Sequence, residues 1–343
     1  FNQQKYVSDF LNENTPYRGL LLYHGLGSGK SGASIATSEG FHNRKIIILL
    51  PASLSTNYKM EIEKFADIGF KRQHNWCYVP LDIKWTKDSQ NLAHNEPIIQ
   101  LLVEKGIPRE LLDYRAQSKN TTVRTEKGLL RTMKTPNLYT IIRKKKVTKK
   151  VQLKDGRTTN KQYNYGIWLI NMNASEPNFD QLSEQDKLEV NDTTIKMTNH
   201  RFKIISYNNR QGLFTRGKNG IFELYSEEQY EWIQKKAFNG KLKDFRQLDV
   251  KSKSAMLNVI YDPINNIQNP FDNAVIIVDE IHNLISEMVG SGYNGPNLYE
   301  MLMRARNCKF IGLSGTPVIN TVLELFLLFN LIRGVQESYN FKV

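Results

Sequence analysis

The chain has 343 residues, a formal net charge of +13 at pH 7 and 40% hydrophobic residues, enough for a substantial core in one large or two ordinary domains. Its two cysteines, Cys77 and Cys308, are too few for a disulfide framework or a CxxC metal site, which favours a reducing, intracellular setting. No run of about 18 apolar residues and no charged-then-apolar leader is visible, which predicts no membrane span or membrane partner, while the excess of Lys and Arg predicts a polyanionic one.

The chain opens on Phe1 rather than Met and reads as a fragment. Tyr6, Val7, Phe10 and Leu11 fall at helical spacing and predict a short amphipathic helix, with Gln3 and Gln4 at its start. Residues 20–23 (LLLY) form a short apolar run followed by Gly25, Gly27 and Gly29, and a helical pattern begins at Lys30. A strand, a glycine loop and a helix start suit a phosphate group: glycines let successive N–H groups converge on an anion, and the helix N-terminus adds partial positive charge. Around Ser28, the core GSGKS would put Lys30 on the β/γ-phosphates and the Ser31 hydroxyl on Mg²⁺. The strict pattern G-x-x-x-x-G-K-[ST] is missed by one residue, because His24 stands where the first Gly would be.

A helix ended by Gly40 and the β-branched run KIIILL up to Pro51 complete a βαβ unit, which implies a parallel sheet with ligands at the carboxyl ends of its strands. Leu54, Tyr58, Ile62 and Phe65 then mark a helix whose N-terminus, at Ser53 and Leu54, is a second anion-friendly position. From about residue 80 to 200 polar residues dominate and the βα alternation stops, which predicts an insertion. Within it, β-rich runs at 139–153 and 161–170 flank Asp155-Gly156 and predict a hairpin. One arm carries Arg143, Lys144, Lys145, Lys146, Lys149 and Lys150, and the other carries Tyr163, Tyr165 and Trp168. Bases with aromatics fit a nucleic-acid strand, and equally a solvated edge that discourages aggregation. Residues 171–199 read as irregular connection with one short helix at 183–190.

Sheet character returns at 202–207 (FKIISY), with helices expected at 226–238 and 251–262. The buried run AVIIV then delivers Asp279 and Glu280 at its end, a helix follows at 296–306, KFIGL leads into Ser314-Gly315-Thr316-Pro317, and an apolar helix at 322–332 closes the pattern. Asp279 is placed to hold the Mg²⁺ that Ser31 also contacts, and Glu280 to orient or deprotonate an attacking water. His282 either passes the nucleotide state to neighbouring loops or is satisfied locally.

GLGSGKS, VDEIH and SGTP, in that order and each at a strand end, resemble motifs I, II and III of the superfamily II helicases and translocases, with DEIH a variant of DEAH. PASLSTNYKMEIEKF at 51–65 is similar to motif Ia of the chromatin-remodelling translocases, SGTPVINTVLELFLLFNLI at 314–332 to their motif III and the helix after it, and ISYNN at 205–209 takes the place of motif Ib. The opening NQQKYVSDFLNENTPYRGLLLYHGLGSGKS resembles most the helicase-like transcription ATPases of poxviruses and other large cytoplasmic DNA viruses. The resemblance covers roughly 1–78 and 201–335, and the insertion has no counterpart in it.

That resemblance implies an α/β RecA-like P-loop domain, a parallel β-sheet flanked by helices and split as 1–80 and 201–343 around a basic, hairpin-containing subdomain at 81–200. It implies ATP and Mg²⁺ as ligands, Gln4 as the adenine-reading residue, and DNA or RNA contacts at Ser53, Leu54, Asn208 and Thr316, chiefly to phosphates and without sequence preference. It further implies a second RecA-like lobe carrying arginines, without which turnover is poor, a transcription assembly as partner, and the host cytoplasm or virion as the setting of a viral protein. Two alternatives stay open: a translocase or remodeller that does not unwind, and a nucleotide-responsive binding subunit of a transcription or packaging assembly.

Overall fold

The structure is a computed structural model that describes residues 2–25, 27, 29–84, 95–112, 120–124, 130–134, 141–152, 155–208, 213, 220–226, 229–231, 233, 269–289, 294–316 and 321–334. Ser28 and the helix expected at 251–262 lie outside them, as does most of the helix expected at 226–238. The chain divides into two compact units, one made of residues 1–67 and 201–343 and the other of residues 68–200. No helix among the described residues is long and apolar enough to cross a membrane.

The first unit is built on a five-stranded parallel sheet in the order β1-β10-β9-β2-β8, formed by β1 (Gly19–Tyr23), β2 (Lys45–Leu50), β8 (Phe202–Ser206), β9 (Ala274–Val278) and β10 (Lys309–Ser314). The runs KIIILL and AVIIV are apolar throughout because both sheet faces are covered. One parity, including Ile47, Leu49, Ala274, Ile276 and Val278, joins the core formed with α6 (Ile281–Val289), α7 (Asn294–Arg304) and α8 (Val322–Arg333). The other parity, Ile46, Ile48, Leu50, Val275 and Ile277, is just as fully buried. Helix α2 (Lys30–Glu39) packs on β10, on α1 (Asn2–Phe10) and on α3 (Ser55–Phe65). This is the RecA-like α/β architecture expected from the motifs. Arg18 fastens its far edge by donating to the Leu331 and Leu302 carbonyls at 2.7 and 2.6 Å, where α8 and α7 end with unsatisfied acceptors.

The second unit holds an antiparallel sheet in the order β3-β7-β6, from β3 (Trp76–Leu81), β6 (Arg143–Gln152) and β7 (Thr158–Ile170). It also contains α4 (Glu96–Glu104) and a separate hairpin of β4 (Asn120–Arg124) with β5 (Leu130–Lys134). The expected basic hairpin is β6–β7, with Asp155 and Gly156 in its turn. It gains a third strand in β3, whose Pro80 is tolerated because β3 is an edge. Gly166 is required there, since a Cβ would lie 2.5 Å from the Tyr78 ring.

The short helix expected at 183–190 is α5 (Glu184–Arg201), eighteen residues long and continuous with β8. Its inward face is partly polar, so apolar periodicity does not reveal it. Thr193 and Thr194 are buried and return their hydroxyl protons to the Glu189 and Val190 carbonyls at 2.9 and 3.0 Å. Glu189 further accepts the Trp168 indole proton at 2.9 Å, and Asp192 pairs with Arg143.

Candidate functional site

The loop after β1 is shaped by its glycines. Gly27 and Gly29 sit at φ 76° and 77°, left-handed values that side chains resist, and Gly25 has no atom within 4 Å of where a Cβ would stand. The loop's described residues Gly25, Gly27 and Gly29 form an open cradle at the N-terminus of α2, whose first helical bond runs from Ala33 N–H to Gly29 O at 2.9 Å. Lys30 Nζ bends back into the cradle and donates to the His24 and Gly25 carbonyls at 2.7 and 2.9 Å. The loop is tied to β10 by His24 N–H on Ser314 O at 3.3 Å. Ser31 is half-buried behind Lys30. Gln4 lies in α1, where only its backbone is described.

Asp279 and Glu280 emerge at the end of β9, separated from β1 by one strand. Asp279 N–H donates to Leu49 O at 2.9 Å, and Glu280 N–H folds back onto Asp279 Oδ1 at 3.0 Å. Glu280 has φ 48°, a sparsely populated conformation for a side chain of this kind, and such strain gathers where a side chain must be aimed. Burial raises the Asp279 carboxyl to about 6, Glu280 adds repulsion, and the Glu280 N–H and then the Lys30 ammonium oppose the shift. Lys30 and Asp279 therefore sense one another across the cradle.

His282 Nδ1 lies 2.9 Å from Ser314 Oγ and 3.4 Å from Glu280 Oε2, and Ser314 Oγ accepts Thr316 N–H at 3.0 Å. The turns after β9 and β10 thus share one polar network. Two buried tyrosines, which periodicity marks only as apolar, support the site. Tyr58 O–H meets Ser34 Oγ at 2.8 Å, and Ser34 donates its own proton to Ser31 O at 2.8 Å, which leaves Tyr58 as the donor to Ser34. Tyr207 O–H lies 3.2 Å from both the Asp279 and Glu280 carbonyls. Burial pushes both phenols well above their ordinary value, so both stay protonated donors.

Ser53 and Asn208 are exposed and Leu54 half-buried, at the ends of β2 and β8, and Asn208 Oδ1 accepts Ala52 N–H at 2.8 Å. Thr316 is exposed after β10. The sheet therefore brings the phosphate-loop, acidic and strand-end residues of the first unit to one edge. The hairpin residues belong to the second unit. There Lys144, Lys146, Lys149 and Lys150 are exposed, whereas Lys145 pairs with Asp186 and sits over the Tyr78 and Trp168 rings at 5.1 and 5.3 Å. Of the three aromatics on the second arm, Trp168 is withdrawn from a stacking surface, while Tyr163 and Tyr165 are half-exposed. Trp168 is only 4% exposed and its N–H is held by Glu189, because the wider end of β7 packs into the core of its unit rather than facing solvent.

The charge on Asp279 sets one expectation. Its folded carboxyl holds a proton more tightly than the unfolded one, so in the absence of divalent cation stability falls as pH rises from about 4 to about 6, by about 3 kcal/mol in all. Asp279→Asn removes that cost and keeps the Oδ1 acceptor. Thermal melts at pH 7 should show a raised midpoint, and nucleotide titrations should show weakened binding with Mg²⁺ but little change without it. A midpoint equal to the parent's at every pH would contradict the burial of a charge there.

No protein-family model matches the chain. It is 43% identical over 60 residues to an inferred ATP-dependent RNA helicase of Acanthamoeba polyphaga mimivirus, covering 17% of this chain and 10% of that protein. It is 29% identical over 117 residues to nucleoside triphosphatase I of Melanoplus sanguinipes entomopoxvirus, covering 32% and 18% respectively. An inferred helicase of frog virus 3 is 37% identical over 86 residues, covering 20% of this chain and 9% of that protein. The chain thus spans less than a fifth of the length of these curated relatives. Over the matched stretches the chain is similar to viral proteins named as helicases and nucleoside triphosphatases.

Proposed function

With that similarity as premise, we propose that the chain is the ATP-binding lobe of a nucleic-acid-dependent ATPase of the superfamily II type, coupling ATP hydrolysis to movement along DNA or RNA or to its unwinding, in viral transcription. The observation that carries the reading is that the glycine cradle, Lys30 and the Asp279–Glu280 turn lie at the carboxyl ends of β1 and β9, which only β10 separates.

In this reading the loop N–H groups and Lys30 bind the β- and γ-phosphates, and Gln4 reads the adenine. Ser31 and Asp279 offer hard oxygen donors that fit Mg²⁺ in kind, and the ion when bound supplies charge neutralisation on the phosphates. Glu280 accepts a hydrogen from the attacking water and aligns it with the γ-phosphorus, and His282 holds the Glu280 carboxylate in reach of Ser314. A second lobe would add the arginines that complete turnover. Ser53, Leu54, Asn208 and Thr316 take the strand's phosphates.

The reading is tested by linkage. The complete protein should bind a single strand with different affinity when it holds a non-hydrolysable ATP analogue, ADP or nothing, because coupled sites change one another's affinity reciprocally. Equal affinity in all three states would leave a nucleotide site and a polymer site with no coupling between them, against the proposal.

The hairpin is proposed as a further contact. Among the described residues, Lys144, Lys146, Lys149 and Lys150 have no carboxylate partner, whereas Arg143, Lys145 and Lys161 are paired with Asp192, Asp186 and Asp82. Replacing the four outward lysines with Ala should weaken unrelated sequences about equally and flatten the salt dependence, each lost phosphate contact removing roughly 0.7–0.9 from the log–log slope. An unchanged slope would take the hairpin off the strand's path.

A further inference from the structure

Tyr207 follows β8 directly and is 2% exposed, inside the core shared with Ile281 and Leu284. Its single phenolic proton is shared by the carbonyls of Asp279 and Glu280, both at 3.2 Å. The Asn283 side chain hydrogen-bonds the same phenol, and Asn283 N–H donates to Glu280 O at 2.9 Å. The peptide units on both sides of Glu280, the residue held at φ 48°, are therefore gripped from β8.

The backbone extends that grip. Successive carbonyls of β2 serve two different neighbours: Leu49 O accepts Asp279 N–H at 2.9 Å, and Leu50 O accepts Tyr207 N–H at 3.3 Å. The next residue, Asn208, accepts Ala52 N–H at the start of the short turn that leads into α3. A displacement of residues 52–54 has a hydrogen-bonded route through Asn208 and Tyr207 to the carbonyls that set the direction of Glu280.

We infer that Tyr207 is a positioning residue: its hydroxyl fixes the strained Asp279–Glu280 turn and, through Asn208, makes that turn and the 52–54 segment one mechanical unit, so that a nucleic-acid backbone seated on that segment changes the aim of Glu280. The inference rests on the ATPase reading above. It assigns the coupling of polymer to hydrolysis to a contact between the turns that follow β8 and β9, in addition to whatever the His282–Ser314 network contributes.

The test is Tyr207→Phe in the complete protein, which removes one oxygen and keeps the ring in the core. ATP hydrolysis is measured with and without saturating single strand, together with the thermal midpoint. The stimulated kcat should fall about 10-fold, with KM for ATP within about 2-fold of the parent and the stimulation factor reduced in step, since misaiming costs the transition state and not the ground state. Asn283→Ala, at an exposed position, should lose part of the same kcat with KM again held. A purely structural role would instead lower the midpoint and raise KM together, and that pattern would overturn the inference. So would parental kcat and stimulation in both variants. A parent that does not hydrolyse ATP at all would fail the ATPase reading itself, an outcome distinct from a hydrolysing parent matched by Tyr207→Phe.

Discussion

Glu280→Gln in the complete protein should lower kcat for ATP hydrolysis by on the order of 10²-fold or more and leave ATP affinity at its parental value. The amide has the same shape and can follow the same backbone at φ 48°, so the turn keeps its hydrogen bonds from Tyr207 and Asn283. What is lost is the negative charge that accepts the water's hydrogen. In the proposed reading the ground-state contacts belong to Lys30 and the loop, on the other side of β10, and should be untouched. Steady-state hydrolysis beside titration with a fluorescent ATP analogue separates the two quantities. A parallel loss of both would make Glu280 a structural residue of the turn.

Lys30→Ala carries the second large effect, an ATP affinity reduced by on the order of 10²-fold or more, because a phosphate in the cradle loses its charge-assisted donor. The fold loses only the Lys30 charge that helps hold the buried Asp279 carboxylate ionised. Ala is the best helix former at the first position of α2, and the His24 and Gly25 carbonyls that Lys30 serves are open to water. The thermal midpoint should therefore fall only slightly, by the lost support of the Asp279 carboxylate, while the titration loses its transition. Binding at parental strength would mean that the glycine loop merely joins a strand to a helix.

Much of this site is legible in the residues because its chemistry is local. KIIILL, AVIIV and KFIGL are too apolar to be anything but strands buried on both faces, and each delivers its polar residues at a carboxyl end, where a parallel sheet must gather them. The glycines at 27 and 29 mark left-handed positions that few other residues tolerate. The left-handed turn at Glu280 gives no such signal, since a glutamate there is imposed by tertiary contacts.

Tyr58 and Tyr207 are similarly opaque. At helical or alternating spacing they count as core, and the hydrogen bonds from their hydroxyls depend on which strands become neighbours. The second unit is least legible because its burial is mixed. Strand β3 interrupts its apolar run with a proline, α5 hides threonines on its inner face, and Lys145 looks like its neighbours until Asp186 is brought beside it.

In the proposed function one sheet edge joins an ATP site to a nucleic-acid site. The most direct measurement is ATP hydrolysis by the complete protein as a function of added single-stranded DNA and, separately, RNA. Hydrolysis should rise to saturation with at least one of the two polymers and fall to background in Glu280→Gln at every polymer concentration. Hydrolysis that is absent, or that ignores both polymers while persisting in Glu280→Gln, would contradict the account.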